Sequence, residues 1–303
     1  MVDAFTDLSV PSFFVSGDLD VDGTTNLDAV DVDGTVNFAA DVTFADGADI
    51  ITASAGTSNV RVGVNAGNSI TSGGNQNVVI GDEAGTALTT GDFNVMVGYA
   101  AGDAFTTGGR NVGIGQNALS TDTLGSRSTA VGQGALGTQN FTTSTDVYNV
   151  AVGTLAGNAI TTGIRNTLIG GLAGDALTDA DKNVAIGYLA LSGDTLGSTS
   201  VAVGMGTLQN QNFTTATNSF NTALGHEAGN DITFGTVNTL IGGLAGDALT
   251  EGNNNVAVGY AALGSDTKGD RNISIGSGSL ATQNFTTSTD AYNVAIGHDA
   301  GTQ

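Results

Sequence analysis

Few side chains in this sequence have types and spacing suited to chemistry. The two histidines, His226 and His298, lie one 72-residue interval apart, and each precedes an acidic residue, Glu227 or Asp299. Imidazole beside carboxylate can bind metals or transfer protons. Four turns of the repeat described below separate the two histidines by roughly 19 Å, which is too far for one ion. We therefore expect exposed turn residues, with a site shared between symmetry copies as the alternative.

A second candidate lies near the start of the chain. The stretch "DLDVDG" places Asp18, Asp20, Asp22 and Gly23 in the D-x-D-x-D-G spacing that begins a calcium loop. The twelfth position of that loop needs a bidentate Glu, and it is Ala29 here. We favour a strand with aspartates facing solvent over a calcium site. The sequence thus predicts no metal site, no cofactor site and no catalytic residue.

Composition excludes several classes of function. The chain has 303 residues with 29 acidic and 7 basic side chains, for a net charge of −22. This charge disfavours binding to nucleic acid, which needs Lys and Arg against phosphates. The absence of cysteine excludes disulfides and thiolate metal sites. No apolar run approaches the roughly 18 residues of a membrane helix, and the start of the chain lacks the basic residues of a secretory signal. We expect neither membrane insertion nor an export signal.

The dominant feature of the sequence is a repeat with a 72-residue period. The stretches "NFTTSTDVYNVAVG", "NFTTATNSFNTALG" and "NFTTSTDAYNVAIG" begin at Asn140, Asn212 and Asn284. Each 72-residue unit contains three 17-residue turns, such as "NVAVGYAALGSDTKGDR" at Asn255, and one 21-residue turn. The turns start at positions 59, 77, 94, 111, 128, 149, 166, 183, 200, 221, 238, 255, 272 and 293. Such a fixed period is the signature of a solenoid.

Positions within a turn, counted from these starts, have distinct roles. Position 2 is Val, Ile or Thr and position 4 is aliphatic in every turn. Because side chains alternate along a strand, we expect both positions to face the core of the coil. Position 5 is glycine in every turn, which predicts a corner with positive φ. The corner glycines that we single out are Gly81, Gly98, Gly153, Gly225 and Gly297.

The predicted fold class is all-β: a parallel β-solenoid built mainly from 17-residue turns. Like residues would stack roughly 4.8 Å apart, so that the asparagines at position 1 form a hydrogen-bonded ladder. Position 3 would then point away from the core, yet it is mostly apolar. A strand that is apolar on both faces is buried on both. We therefore predict a trimer seam at Val79, Met96, Leu168 and Leu240, with small residues merely tolerated on a surface as the alternative.

Three regions follow from these patterns. Residues 1–13 are predicted to be an attachment segment. Residues 14–58, in which "VDGTTN" is followed by "VDGTVN", are predicted to be a stem of short strands. Residues 59–303 are predicted to be the solenoid shaft, with 72-residue units at 77–148, 149–220 and 221–292. Five basic residues end a turn, which predicts charge pairing between neighbouring turns: Arg110, Arg127, Arg165, Lys182 and Arg271.

The stretch "NVAVGYAALGSDTKGDRN" resembles a repeat of bacteriophage tail-fibre and tailspike shafts. The core "NVAIG" at Asn183 is also akin to head repeats of trimeric autotransporter adhesins. The resemblance covers residues 59–303 and implies a homotrimeric parallel β-solenoid fibre.

On this basis we expect a structural fibre of a phage virion, extracellular after release, that serves host attachment and not catalysis. Its expected partners are copies of itself, other virion proteins at the N-terminal end and a host receptor at the distal end. Position 13 is Thr in every 17-residue turn from position 77 onward, as at Thr89 and Thr250, and the last turn stops at Gln303 before reaching it. We therefore expect the receptor contact either at the distal end itself or in a further C-terminal segment. A bacterial surface adhesin or an extracellular filament subunit is the alternative. An enzyme is disfavoured because the charges are sparse and periodic. Ice binding is disfavoured because the common Thr pairs, such as Thr89–Thr90 and Thr161–Thr162, are adjacent and so face opposite sides of the chain.

Overall fold

The computed structural model describes residues 55–302, which contain strands and turns but no helix. Each turn of the chain contributes one three-residue strand. These strands are β1 Val60–Val62, β2 Val78–Ile80, β3 Val95–Val97, β4 Val112–Ile114, β6 Thr129–Val131, β8 Val150–Val152, β9 Thr167–Ile169, β10 Val184–Ile186, β12 Val201–Val203, β14 Thr222–Leu224, β15 Thr239–Ile241, β16 Val256–Val258, β18 Ile273–Ile275 and β20 Val294–Ile296. They form one 14-stranded sheet in chain order. The predicted parallel β-solenoid with 17-residue turns is confirmed.

Shorter strand pairs mark the 21-residue turns. They are β5 Gly125–Ser126 with β7 Thr145–Asp146, β11 Gly197–Ser198 with β13 Thr217–Asn218, and β17 Gly269–Asp270 with β19 Thr289–Asp290. Each pair is parallel. The four extra residues are thus absorbed locally, and the main sheet keeps its register across them, with Val201 opposite Thr222 and Val203 opposite Leu224.

The orientation of the strands is the reverse of our expectation. The middle residue of each three-residue strand after β1, at position 3, faces inward. Val79, Met96, Leu168 and Leu240 are all completely buried in the core of a single chain. These four residues therefore do not form a seam with another chain, and the outward residues are those at positions 2 and 4. Both faces of the strand are apolar, so the alternation alone did not distinguish inside from outside.

The physical reason for this orientation is the width of the coil. The core is filled by columns of side chains at positions 3, 8 and 12 of successive turns. Positions 3 and 8 are often alanine, as at Ala185 and Ala190 of one turn, both fully buried. Position 12 supplies larger groups such as Leu88 and Phe105. In turns where position 12 is polar, a buried leucine at position 9, such as Leu119, contributes the large apolar side chain instead. Small side chains on two columns leave room for the larger groups in an interior that is close-packed, as protein cores are.

The glycines at position 5 form the corner after each strand. Gly81, Gly98, Gly153, Gly225 and Gly297 have φ between +128° and +140°. At Gly225 an added Cβ would lie 2.4 Å from the carbonyl oxygen of Gly242, the corner glycine of the next turn. Both the backbone conformation and the close approach of the next turn therefore require glycine there.

Two corner variants separate these causes. We expect Gly225→Ala to lower the melting temperature far more than Gly297→Ala. Both glycines have similar backbone conformations, but the nearest atom to a Cβ at Gly297 is the Cβ of Ala300, 3.9 Å away. Thr217→Ala, in the 21-residue turn, should change stability little. Thermal unfolding followed by circular dichroism measures all three, and equal losses at Gly225 and Gly297 would refute the stacked corner.

Candidate functional site

The residues at positions 2 and 4 form an outward surface, which we call the outer face, that runs along all fourteen strands. Every one is Val, Ile, Leu or Thr. Their exposed fractions include 37% at Ile241, 49% at Leu224 and 68% at Ile296. At the spacing of parallel strands, fourteen of them extend roughly 65 Å. A continuous aliphatic strip of this length on a single chain indicates an interaction surface.

The side of the sheet where the strands begin is bordered by position 17, the last residue of each 17-residue turn. We call this border the strand-start edge. Its residues adopt left-handed conformations without being glycine, as at Phe93 (φ 60°), Arg165 (φ 60°) and Lys182 (φ 58°). All five turn-ending basic residues occupy position 17, and Tyr148 and Tyr292 end 21-residue turns on the same edge. The left-handed residue turns the chain into the next strand and leaves its side chain at the surface.

The opposite border, where the strands end, is formed by position 6, directly after the corner glycine. We call it the strand-end edge. It bears the exposed tyrosines Tyr99, Tyr188 and Tyr260. The two histidines also lie here, in exposed turns, with His226 Nδ1 3.7 Å from Glu227 Oε2 and His298 Nδ1 2.9 Å from Asp299 Oδ2. In the part of the chain that the structure describes, no three His, Asp or Glu residues are grouped so as to hold a metal ion.

Charge pairing between turns occurs at some of the basic residues. Arg127 pairs with Asp146 at 2.7 Å, and Arg271 pairs with Asp290. Both arginines also lie over tyrosine rings of the same edge. Arg110 contacts a ring in place of an acid: it lies over Phe93, 5.2 Å from the ring centre.

Arg165 and Lys182 differ from these three. Within residues 55–302 neither has an ion pair or a ring contact, and both are exposed. The predicted charge pairing between turns is therefore found at Arg127 and Arg271 but not at these two residues.

Asparagines at position 1 connect the turns from inside. The side chain of Asn183 is fully buried. Its Nδ2 donates to the carbonyl oxygen of Gly197 at 2.9 Å and so closes its own turn, while its Oδ1 accepts from the backbone N–H of Ser200 in the next turn at 2.8 Å. Its own backbone N–H donates to Asn166 Oδ1 at 2.9 Å. The ladder thus satisfies buried backbone groups that face away from the sheet.

Removing one rung tests the ladder. Asn183→Ala leaves the N–H of Ser200 and the carbonyl of Gly197 buried without their partners. At about 1–3 kcal/mol for each of the two unsatisfied groups, we expect a loss of about 2–6 kcal/mol in the free energy of unfolding. Asn218→Ala, on the exposed strand β13, should cost less than about 0.5 kcal/mol. Urea unfolding measures both, and comparable losses would contradict a structural role for the ladder.

The 21-residue turns are organised around buried carboxylates. Asp122 and Gln139 occupy position 12 of adjacent turns, where other turns have Leu, Ile or Phe, and both are fully buried. Asp122 Oδ2 accepts from Gln139 Nε2 at 2.5 Å, and its Oδ1 accepts from the backbone N–H groups of Gly125 and Phe141 at 3.0 Å. Asn149 Nδ2 donates to Gln139 Oε1 at 2.9 Å. We call this arrangement a polar node.

The polar node recurs once in each of the two following 72-residue units. Asp194 accepts from Gln211, which accepts from Asn221. Asp266, Gln283 and Asn293 repeat the arrangement. We did not predict these nodes from the sequence, although a polar pair that recurs with the long period at an otherwise apolar position was a visible signal.

Burial raises the pKa of the Asp122 carboxyl above its ordinary value of 3.8, and the hydrogen bonds from Gln139 and the backbone oppose that rise only in part. Because the pKa is higher in the folded state, the unfolded chain ionises first as the pH increases. The contribution of this group to stability is therefore largest below pH 3.8 and falls until the pH exceeds the raised pKa. Burial also raises the pKa of Asp103, Asp175 and Asp247, so their contributions change in the same direction.

We accordingly expect the protein to be more stable near pH 3.5 than near pH 7, and Asp122→Asn to reduce that difference. The measured quantity is the change in unfolding free energy between the two pH values, compared between variant and wild type. Asp82→Asn, at an exposed site, is the matched control. An unaltered pH dependence in Asp122→Asn would show that this carboxyl does not titrate as its burial requires.

The threonines at position 13 use their hydroxyl groups within the protein. Thr89 Oγ1 donates to the carbonyl oxygen of Thr106 at 2.9 Å, and Thr178 Oγ1 to that of Thr195 at 3.0 Å. This column therefore adds hydrogen bonds between turns. A hydroxyl engaged in this way has no donor left for an ordered water layer.

A cavity of about 560 Å³ lies at the β20 end of the sheet. It is lined by the last turn, including Val294, Ala295 and Ile296, and by Leu280 of the turn before. Among the described residues no helix has the length and hydropathy to cross a membrane.

The solenoid, its asparagine ladder and its aliphatic outer face define a parallel β-solenoid repeat protein. Comparisons of the chain with protein-family models, with curated proteins and with solved structures gave no significant match. The predicted segment 1–13, most of the predicted stem and with it the Asp18–Asp22 stretch, and Gln303 lie outside the described residues.

Proposed function

We propose that the chain is the shaft of a homotrimeric fibre whose three copies meet through the outer face. The observation that carries the proposal is the exposed aliphatic strip along all fourteen strands. Covering a half-exposed Val or Ile is worth roughly 0.5–1 kcal/mol. Position 4 is aliphatic on all fourteen strands and position 2 is Val or Ile on ten of them. Together these residues sum to more than about 10 kcal/mol per chain, which is comparable to the roughly 4–15 kcal/mol that association costs.

The number of copies rests on the resemblance of the repeat to phage tail-fibre shafts and to trimeric adhesin heads. A three-fold axis parallel to the solenoid axis would let each chain turn its outer face inward. The inner columns at positions 3, 8 and 12 already fill the core of each chain, so assembly needs no rearrangement of the coil.

In this role the protein acts mechanically. Backbone hydrogen bonds, the asparagine ladder and the threonine column link every turn to the next, as at Thr106 with Thr123 and Asn94 with Asn77. Such a rod resists bending and holds a receptor-binding end away from its support. The proposed setting is a phage virion, outside the host cell after release. The partners would be other virion proteins at the N-terminal end and a host receptor at the distal end.

Adjacent residues on opposite faces of β15 test the interface. Ile241→Asp places a carboxylate on the outer face and should leave a folded chain that sediments as a monomer. Leu240→Asp places the carboxylate in the filled core and should prevent folding, because an unpaired buried charge is very costly. Sedimentation velocity measures the association state of each variant, and circular dichroism measures whether it is folded. A wild-type monomer at micromolar concentration, or a stable trimer of Ile241→Asp, would overturn the assembly.

The biological setting needs a separate experiment. Antibody raised against residues 55–302 should decorate appendages of purified virus particles in electron microscopy, and the chain should co-purify with them. Decoration of intact bacterial cells in the absence of particles would favour the adhesin, which shares the "NVAIG" core, over the phage fibre.

A further inference from the structure

The two edges of the sheet become neighbours in the proposed trimer, and we infer that Lys182 and Arg165 of one copy hold the ring of Tyr188 of the next. This inference rests on the proposed function. Its partner is a second copy of the same chain, and the interaction is that of cations with an aromatic face.

Symmetry determines which edges meet. In a ring of three copies about an axis parallel to the solenoid, all strands run in the same sense around the ring. Such an interface is head-to-tail, so that one surface of each copy contacts a different surface of the next. The end of each strand therefore points towards the beginning of the same strand in the neighbouring copy. The strand-start edge must face the strand-end edge.

The heights of the residues along the fibre also agree. Lys182 directly precedes the turn that contains β10, and Tyr188 follows the corner glycine of the same turn. In a three-fold ring they lie at the same level. The Tyr188 ring leans over the preceding turn, where a Cβ at Gly171 would lie 3.6 Å from its Cδ2 atom. This position brings the ring to the level of β9, the strand that Arg165 precedes.

The charges on the edge favour this contact. Arg110, Arg127 and Arg271 each lie over an aromatic ring of their own chain. Arg165 and Lys182 have no such ring and no ion pair within residues 55–302, while Tyr188 is 53% exposed. Two unpaired cations on one edge and one exposed ring at the matching level on the other are complementary.

The next 72-residue unit supplies a comparison within the same chain. Tyr260 lies over Gly243 as Tyr188 lies over Gly171, again with 3.6 Å between Cδ2 and an added Cβ. The corresponding strand-start residues there are Val237 and Asn254, which carry no charge. We therefore assign the cation contact to Tyr188 and not to Tyr260.

Cysteine cross-linking tests the edge contact, because the chain contains no cysteine of its own. The double variant K182C/Y188C should give covalently linked trimers on denaturing gels after treatment with a short bifunctional thiol reagent, which replaces the length of the lysine and tyrosine side chains. Within one copy the three-residue strand β10 and the corners that flank it separate the two sites, and residues 183–187 alone span roughly 13 Å. A reagent shorter than this separation can therefore join only cysteines of different copies. The control K182C/Y260C changes the same edges at levels roughly 19 Å apart and should give no links.

The outcomes distinguish this inference from the proposed function. Reduced K182C/Y188C that sediments as a trimer but does not cross-link, or links in K182C/Y260C, would overturn the edge contact while leaving the trimer intact. Monomers in both variants and in wild type would overturn the assembly itself. Links in K182C/Y188C alone support both proposals.

A second pair of variants tests the chemistry of the contact. Tyr188→Leu should lower the melting temperature of the trimer by several degrees more than Tyr260→Leu, because only the first removes a ring held by cations. Changing Arg165 and Lys182 together to Gln should reproduce the effect of Tyr188→Leu. Equal shifts for the two tyrosines would show that Tyr188 makes no special contact.

Discussion

The narrow interior of the coil is the constraint on which the rest of the structure depends. Columns of side chains fill it, and a residue at each level must fit against the residues in the turns above and below. Leu168, Ala173 and Leu177 of one turn show the pattern: a large, a small and a large side chain, all fully buried. Because the buried side chains of each turn must fit in size against those of the turns above and below, the sequence can vary freely only at positions that face solvent.

Polar groups satisfy the same constraint where they enter the interior. The backbone of an irregular turn would leave buried N–H and carbonyl groups unpaired, and the asparagines at position 1 supply the missing partners. The polar nodes solve a different problem. A turn with four extra residues cannot stack its backbone on a 17-residue turn everywhere. The carboxylate of Asp122 accepts hydrogen bonds from the backbone N–H groups of Gly125 and Phe141, which lie on either side of this mismatch. The main sheet can therefore continue across the insertion.

Much of this arrangement could be predicted from the sequence, because stacking repeats the same signal in every turn. The strand at Val184–Ile186 and the corner at Gly225 follow directly from the period and from alternation. The direction in which Leu168 points could not be predicted this way. Alternation shows that Leu168 and its two neighbours lie on opposite faces of the strand, but it does not show which face is buried when both are apolar. The small size of the residues at positions 3 and 8 contained that information. The contact that we propose at Tyr188 involves a second copy of the chain, which no pattern within one turn describes.

The agreement between the 72-residue unit and whole turns has a consequence for how such genes change. A recombination event between two units removes or adds four whole strands, and the new junction brings together positions that already stack elsewhere in the chain. The cross-section and the outer face continue unchanged across the new junction, while the residues on the two edges change with the unit that is lost or gained. The length of the solenoid is therefore inherited in steps of roughly 19 Å.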